Sequence, residues 1–174
     1  MYRGIQRAQG KRVVDHGREF TLLVEVSSAA EIDGFADHSD VGAEQRRYRL
    51  NIWVDPASRF STSTVWTWTG PTWKQSCKIP VEIGSSDYDG TLSVEVERVG
   101  RPDCGSGRPD PGTSHGRAVV GRAKVGLPKL GEEKGGRFGL VRACGGECKA
   151  EGFVFLNMKL VKRQKRGFDD GLIN

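Results

Sequence analysis

The chain alternates apolar and polar residues over several short stretches, which is the period of a β-strand with one buried face. Between these stretches stand turn residues, and the chain holds 24 glycines. The stretches that show this alternation, or a run of strand-forming residues, are 20–26, 48–54, 64–69, 78–83, 92–96, 119–125, 137–144 and 152–160. Because no amphipathic helical pattern interrupts them, they predict an all-β fold with about eight strands, an antiparallel sandwich or barrel.

Length and composition divide the chain into three parts. Its 174 residues suffice for one domain with a hydrophobic core. We predict a basic N-terminal arm over residues 1–18, a β-domain over 19–163 and a flexible tail over 164–174. The first residues contain no apolar segment typical of a secretory signal, so we expect a cytoplasmic protein with reduced thiols.

The formal charge of +5 indicates an anionic partner. Both phospholipid membranes and nucleic acids present phosphate surfaces, and charge alone does not choose between them. No apolar run is long enough to span a membrane, which leaves attachment at a membrane surface as the form that lipid binding would take.

Two cysteines form the spacing CGGEC, at Cys144 and Cys148. A structural zinc site would need a second pair of ligands at similar spacing. Cys77 and Cys104 stand alone in the sequence, so the preferred interpretation is a glycine-rich hairpin turn flanked by two thiols.

The stretch 32–40 reads IDGFADHSD and comes soon after the first predicted strand. Its three carboxylates are Asp33, Asp37 and Asp40. Aspartate is common in solvated turns, because its side chain accepts hydrogen bonds from nearby backbone amides. The alternative is a cation site, since calcium prefers oxygen ligands. The residues of this stretch alone leave both interpretations open.

A calcium site would require a second acid-bearing segment. Calcium takes about six to eight oxygen ligands, more than the stretch 32–40 supplies. The stretch 100–117 contains no apolar run, and loops of that length in compact domains are usually functional or disordered. It carries Asp103 and Asp110. These aspartates would complete the ligand set only if the fold brings the two stretches together.

Four segments, taken in order, resemble the C2-domain family. Residues 70–75, GPTWKQ, resemble its Asn-Pro-x-Trp-Asn-Glu signature, and 92–96 resemble the strand before its third loop. Residues 120–130 resemble its segment with the pattern hydrophobic-Gly-x-x-x-Val-x-Leu-x-x-Leu, and residues 152–156 resemble its closing strand. The likeness covers about residues 19–163 and is greatest to small plant proteins with a single C2 domain, which attach to membranes and act in stress and defence signalling.

This resemblance implies an eight-stranded sandwich with Greek-key topology, whose loops at one end bind calcium and phospholipid. The implied calcium ligands are Asp33, Asp37, Asp40, Asp103 and Asp110. Phe35, near the tip of the first loop, would then insert among lipid chains. Three departures oppose calcium. Arg98 stands where the family places the first aspartate of its third loop, and the next acidic positions fall at Gly100 and near Ala118.

A basic surface would provide a second route to anionic phospholipid. Arg49 and Trp53 lie within the stretch 48–54 and Arg47 directly precedes it, and all three share one face of this strand. We expect Lys74 and Lys78 to neighbour them on the sheet. Each basic residue near an anionic membrane contributes about 1 kcal/mol to binding.

Two other functional classes stay open beside the membrane module. Tyr48, Trp53, Trp66 and Trp68 would stack bases if the fold were a barrel that binds single-stranded nucleic acid, although Trp66 and Trp68 are alternatively interfacial anchors or packing residues. A protein-protein adaptor that needs no calcium is the other class. The chain has three histidines and none of the common catalytic motifs, so we predict no enzymatic activity.

The sequence therefore predicts a monomeric, calcium-responsive module that binds anionic phospholipid at the plasma membrane and recruits or regulates a signalling protein. We expect no nucleic-acid partner. A role in plant stress or immune signalling follows from the resemblance only.

Overall fold

The computed structural model describes residues 18–32, 45–83, 90–100, 117–144 and 146–163. Within these ranges it contains nine β-strands and one short 3-10 turn, Pro56–Ser58. The strands are β1 (Arg18–Ala30), β2 (Arg46–Trp53), β3 (Phe60–Ser61), β4 (Val65–Thr67), β5 (Thr72–Ile83), β6 (Thr91–Val99), β7 (Arg117–Gly126), β8 (Glu133–Cys144) and β9 (Glu147–Lys162).

The strands form two halves of an antiparallel sandwich. One half has the order β3-β2-β6-β7, with β4 also paired to β2, and the other has the order β8-β9-β1-β5. A single register pair, Arg122 with Val141, connects β7 to β8 and so joins the halves along one edge. The predicted all-β antiparallel sandwich is confirmed.

The core lies between the halves and follows the alternation seen in the sequence. From β1, Leu22, Val24 and Val26 are buried, while from β2 the buried residues include Leu50 and Ile52. The inward positions of β6 and β9 are buried in the same way. Since a fully buried side chain of this size contributes about 1.5–3 kcal/mol, the alternation fixes which face of each strand points inward.

The predicted strand over residues 64–69 is shorter in the structure, where β4 ends at Thr67. The Thr67 hydroxyl oxygen accepts hydrogen bonds from the backbone nitrogens of Thr69, at 3.2 Å, and Gly70, at 3.0 Å. These bonds close a turn directly after β4, so Trp68 lies in the turn rather than in the strand. The short β3, which pairs with β2, raises the number of strands from the eight expected to nine.

The glycine-rich hairpin about CGGEC is confirmed by pairing of β8 with β9. Cys144 lies opposite Glu147, and the register continues down both strands as far as Glu133 and Lys159. Cys148 is exposed with a free thiol, and Cys77 is half-buried. Burial raises the pKa of the Cys77 thiol to about 11, so it stays protonated at neutral pH. Cys104 lies outside the described residues.

Candidate functional site

The described residues that flank the two acid-bearing stretches lie at one end of the sandwich. β1 ends at Ala30 and β2 begins at Arg46, so they flank the first stretch. β6 ends at Val99, before the second stretch. Because Tyr48 of β2 pairs with Arg98 of β6, the start of β2 lies beside the end of β6. We call this region, residues 29–32, 45–47, 66–71 and 98–100, the loop end.

Two hydrogen bonds tie the parts of the loop end together. Nη1 of Arg47 donates to the carbonyl oxygen of Gly100 at 3.2 Å and so joins the start of β2 to the residue after β6. The backbone nitrogen of Ala29 donates to the carbonyl oxygen of Pro71 at 3.0 Å. The flanks of the first acidic stretch, the flank of the second and the turn after β4 therefore form one continuous surface.

The exit of β1 is fixed by close packing against β9. Ile32 is completely buried, and the preceding Glu31 has a φ of 54°, in the left-handed region. Gly152 has a φ of 96° and lies against the carbonyl groups of Ala30 and Glu31, where a Cβ atom would overlap them. Glycine is therefore required at this position, and it determines where the chain leaves the sandwich.

Two tryptophans are exposed at the loop end. Trp66 and Trp68 are 48% and 57% exposed. Trp66 lies opposite Arg47 in the β2–β4 register, and the Arg47 guanidinium carbon lies 4.9 Å from the centre of the Trp66 ring. Sequence reasoning left these tryptophans between packing and anchoring, and their exposure excludes a core position for both.

The predicted calcium ligands and the predicted inserting residue lie outside the described residues: Asp33, Phe35, Asp37, Asp40, Asp103 and Asp110. Within the described ranges no group of three or more histidine, cysteine, aspartate or glutamate side chains could hold a metal ion. The described loop end instead carries Arg46, Arg47 and Arg98, with Glu31 as an exposed carboxylate. Its described residues therefore provide positive charge rather than a set of metal ligands.

The outer face of the β2–β6–β7 sheet carries a connected set of ion pairs. Arg49 Nη2 lies 2.6 Å from Glu97 Oε2, and Arg59 Nη2 lies 2.6 Å from Glu95 Oε1. Arg122 Nε lies 2.8 Å from Glu95 Oε2, and Arg59 also approaches Glu97 at 3.6 Å. We call these five residues the Arg–Glu lattice. Because both glutamates are buried, their carboxylates neutralise much of the arginine charge on this face.

The pKa of Glu97 shows which effect dominates in the lattice. Burial alone would raise this pKa, but the hydrogen bond from Arg49, the neighbouring Asn51 amide and the charges of Arg49 and Arg59 outweigh it and hold the pKa below its ordinary value of 4.5. The carboxylate is therefore ionised at neutral pH, and Arg49 is held by an ion pair. Sequence reasoning missed this neutralisation, although Glu95 and Glu97 alternate along β6 as the arginines do along β2.

The predicted lipid-binding surface is only partly assembled. Arg47, Arg49 and Trp53 do share the outer face of β2, since the residues that alternate with them, Tyr48, Leu50 and Ile52, are buried in the core. The predicted adjacency of Lys74 and Lys78 to this face is wrong, because both lie on β5 in the other half. Alternation along a strand reveals which residues share a face, but it does not reveal which strands are neighbours.

Solved structures with a similar fold include C2 domains. The C2 domain A of plant Extended Synaptotagmin 1 matches with a TM-score of 0.53 at 13% identity, over 83% of this chain and 96% of that one. The paired C2 domains, A and B, of calcium-bound Extended-Synaptotagmin 2 match with a TM-score of 0.52 at 14% identity, over 85% of this chain and 44% of that one. Human GIVD cytosolic phospholipase A2 matches with a TM-score of 0.55 at 14% identity.

This chain spans only 17% of the length of that phospholipase, while 86% of the chain is covered by the match. No protein-family profile and no curated protein matches the chain. In the part of the chain that the structure describes, no helix has the length and apolar character needed to cross a bilayer. At such low identities the structural likeness shows the fold alone, and that fold is the C2 sandwich.

Proposed function

We propose that this protein is a non-enzymatic module that binds anionic phospholipid membranes through the loop end, with calcium as a trigger. The observation that carries the proposal is the hydrogen bond between Arg47 and Gly100, at 3.2 Å. It joins the described flanks of the two acid-bearing stretches at one end of the sandwich. A single surface is thus able to present both stretches to a membrane.

Positive charge at the loop end supports an anionic target. Arg46, Arg47 and Arg98 lie there together, and each basic residue near an anionic membrane contributes about 1 kcal/mol to binding. The attraction decays over about 8 Å at physiological salt, so only the end that faces the membrane contributes. Binding through these arginines alone would be weak, reversible and sensitive to salt.

Calcium would add to this attraction if the aspartates of the two stretches converge. In that arrangement Asp33, Asp37, Asp40, Asp103 and Asp110 provide the ligands, and the ion supplies positive charge that cancels carboxylate repulsion and attracts lipid phosphate. The described residues add no ligand group of their own. Arg98 is a cation close to the second stretch, so we expect calcium affinity to be low.

The finer parts of the proposal follow the likeness to small plant C2 proteins. We propose that the module acts as a monomer at the cytoplasmic side of the plasma membrane. There it recruits or regulates a signalling protein in stress or immune responses. Phe35 would enter the lipid, and Lys78 and Lys74 on β5 would contact anionic lipid only if a second face takes part.

The Arg–Glu lattice argues against the alternative of single-stranded nucleic-acid binding. A strand that crossed the outer face from Trp66 to Trp53 would pass Arg49 and Arg59, whose charges are paired with Glu97 and Glu95 and therefore attract phosphates only weakly. Proteins of this functional class instead provide a continuous positive groove with stacking aromatic residues. A calcium-independent adaptor remains the alternative if no lipid binding is found.

Vesicle sedimentation with calcium and with chelator tests the proposal. We expect the wild-type protein to pellet with phosphatidylserine-containing vesicles more strongly in calcium, and the double variant Asp37→Ala/Asp40→Ala to lose that increase. The control Glu82→Ala/Glu132→Ala makes the same change in charge at exposed sites away from the loop end and should keep it. Absence of pelleting by the wild type in both conditions would refute the proposal in favour of the adaptor.

A further inference from the structure

The exposed tryptophans Trp66 and Trp68 form a patch that the calcium mechanism does not use. Both belong to β4 or the turn after it, and neither lies in the acid-bearing stretches. They are 48% and 57% exposed, which is unusual for residues of this size. Two exposed indoles only two residues apart in the sequence, at the charged end of a domain, indicate an interaction surface.

The turn that carries Trp68 is held in place before any partner binds. The Thr67 hydroxyl donates to the carbonyl oxygen of Gly70 at 2.9 Å and accepts from the backbone nitrogens of Thr69 and Gly70. The next residue, Pro71, accepts the hydrogen bond from Ala29 of β1. Binding would therefore order few additional backbone groups, which reduces its entropic cost.

Arg47 places a cation beside the exposed rings. Its guanidinium lies over the Trp66 ring, 4.9 Å from the centre, in a cation–π contact. Tryptophan and arginine occupy the same depth in a bilayer: indoles lie at the headgroup level and guanidinium groups interact with phosphates. The patch thus combines the two side-chain types that the lipid interface favours.

We propose that Trp66, Trp68 and Arg47, here called the tryptophan patch, form an interfacial anchor that holds the protein on phospholipid without calcium. This inference rests on the proposed membrane function but assigns part of the binding to different residues. The anchor acts at the headgroup layer, while the acidic stretches add the calcium-dependent part. The protein would therefore rest weakly on anionic membranes before any calcium signal.

A lipid surface fits the patch better than an oligonucleotide does. Both tryptophans are exposed, on the short strand β4 that pairs with β2 or in the turn directly after it. Further along the outer face, the next tryptophan, Trp53, is covered by Arg59, with 4.7 Å between the guanidinium carbon and the ring centre. A nucleic-acid strand would therefore find no second open stacking site along β2.

Sedimentation in chelator isolates the patch from the calcium mechanism. The wild-type protein should pellet with vesicles of phosphatidylcholine and phosphatidylserine, and Trp66→Ala/Trp68→Ala should lower the partition coefficient by about tenfold, as expected when two half-exposed indoles no longer leave water. The control Leu130→Ala removes another large exposed side chain, 42% exposed, at the opposite end of the sandwich. We expect it to bind like the wild type.

A charge variant tests the arginine of the patch separately. Arg47→Gln should lower the partition coefficient by about fivefold, close to the loss of one basic contact with an anionic membrane. Lys129→Gln makes the same change in charge in the β7–β8 turn at the far end and should leave binding unchanged. Equal effects of the two variants would overturn the role of Arg47, because general charge would then explain both.

The outcomes separate this inference from the proposed function. Equal binding of Trp66→Ala/Trp68→Ala and wild type in chelator would overturn the inference. A wild type that binds only with calcium would overturn it too, while the proposed function would stand. A wild type that binds no vesicle under either condition would overturn both. Binding of an oligothymidylate that is lost in the tryptophan double variant would assign the patch to nucleic acid and also overturn the inference.

Discussion

Two arginine–tryptophan pairs lie on the same outer face, and they differ in what surrounds the arginine. Near the loop end, Arg47 covers Trp66 and donates to a backbone carbonyl, that of Gly100. At the other end of β2, Arg59 covers Trp53 and is held by Glu95 at 2.6 Å. The pairing of side chains is therefore the same, but among the described residues buried carboxylates neutralise only the second arginine.

Neighbouring carboxylates, rather than residue type, therefore decide which arginine is available to a binding partner. Arg59 contacts Glu95 and Glu97, so its removal from the lattice would leave each of these buried carboxylates with a single arginine partner. Trp53 is half-buried, whereas Trp66 is 48% exposed at the end of a strand of three residues. We therefore assign stability to the lattice and membrane contact to the tryptophan patch.

The largest effect that separates the two regions is expected from Glu97→Gln. This change keeps the shape of the side chain but leaves Arg49 in a largely buried position without its carboxylate partner. We expect a loss of about 3 kcal/mol in the free energy of unfolding, measured by urea denaturation. Glu82→Gln, at an exposed site on β5, should change it by less than about 0.5 kcal/mol.

The same variant should leave vesicle binding in chelator unchanged under conditions where it is folded. Weaker vesicle binding by folded Glu97→Gln would contradict the assignment of the lattice to stability alone, because the lattice would then belong to the lipid surface as well.

Acidification should remove part of this stabilisation. The pKa of Glu97 is lowered in the folded state, below its ordinary value of 4.5. Since the folded state binds this proton less readily, the contribution of Glu97 is fully present above pH 4.5 and is lost as the pH falls through the lowered folded pKa. The difference in unfolding free energy between wild type and Glu97→Gln should therefore shrink below pH 4.5.

Subtracting the variant from the wild type isolates Glu97 from the other carboxylates that titrate in this range. A difference that stayed constant from neutral pH down to strongly acidic pH would contradict the assigned direction of the pKa.

The smallest expected effect is on the stability of the tryptophan patch. Trp66→Ala/Trp68→Ala should change the free energy of unfolding by less than about 1 kcal/mol, because both side chains are largely exposed. Trp53→Ala should cost more, since that ring is covered by Arg59. Thermal or urea denaturation of the two variants checks this order, and a larger loss in the double variant would mean that the patch supports the fold.

The alternation of apolar residues predicted the fold correctly, because burial of one face dictates the period of a strand. Leu22, Val94 and Leu156 are examples of residues that the pattern placed inside and that are buried. The length of β4 was not predictable in the same way. It depends on the Thr67 hydroxyl, which is able to accept from strand neighbours or close a turn, and alternation does not distinguish these outcomes.

The candidate site was predicted less completely, because it depends on contacts between strands that are distant in sequence. Arg49 resembled a free cation in the sequence, but its partner Glu97 lies 48 residues further along the chain. Lys78 belongs to the other half of the sandwich, since β5 pairs with β1. The convergence of Asp37 with Asp103 was predicted from the resemblance and remains a prediction, as both lie outside the described residues.

Depth-sensitive fluorescence quenching tests directly whether Trp66 and Trp68 contact the lipid. The wild-type protein and Trp66→Phe/Trp68→Phe are bound to anionic vesicles whose lipids carry bromine near the headgroup end of the acyl chains. We predict that bromine quenches the wild-type tryptophan emission. This quenching should disappear in the variant, because Trp53 and Trp73 stay away from the lipid. Equal quenching in both proteins, or none in a vesicle-bound wild type, would contradict it.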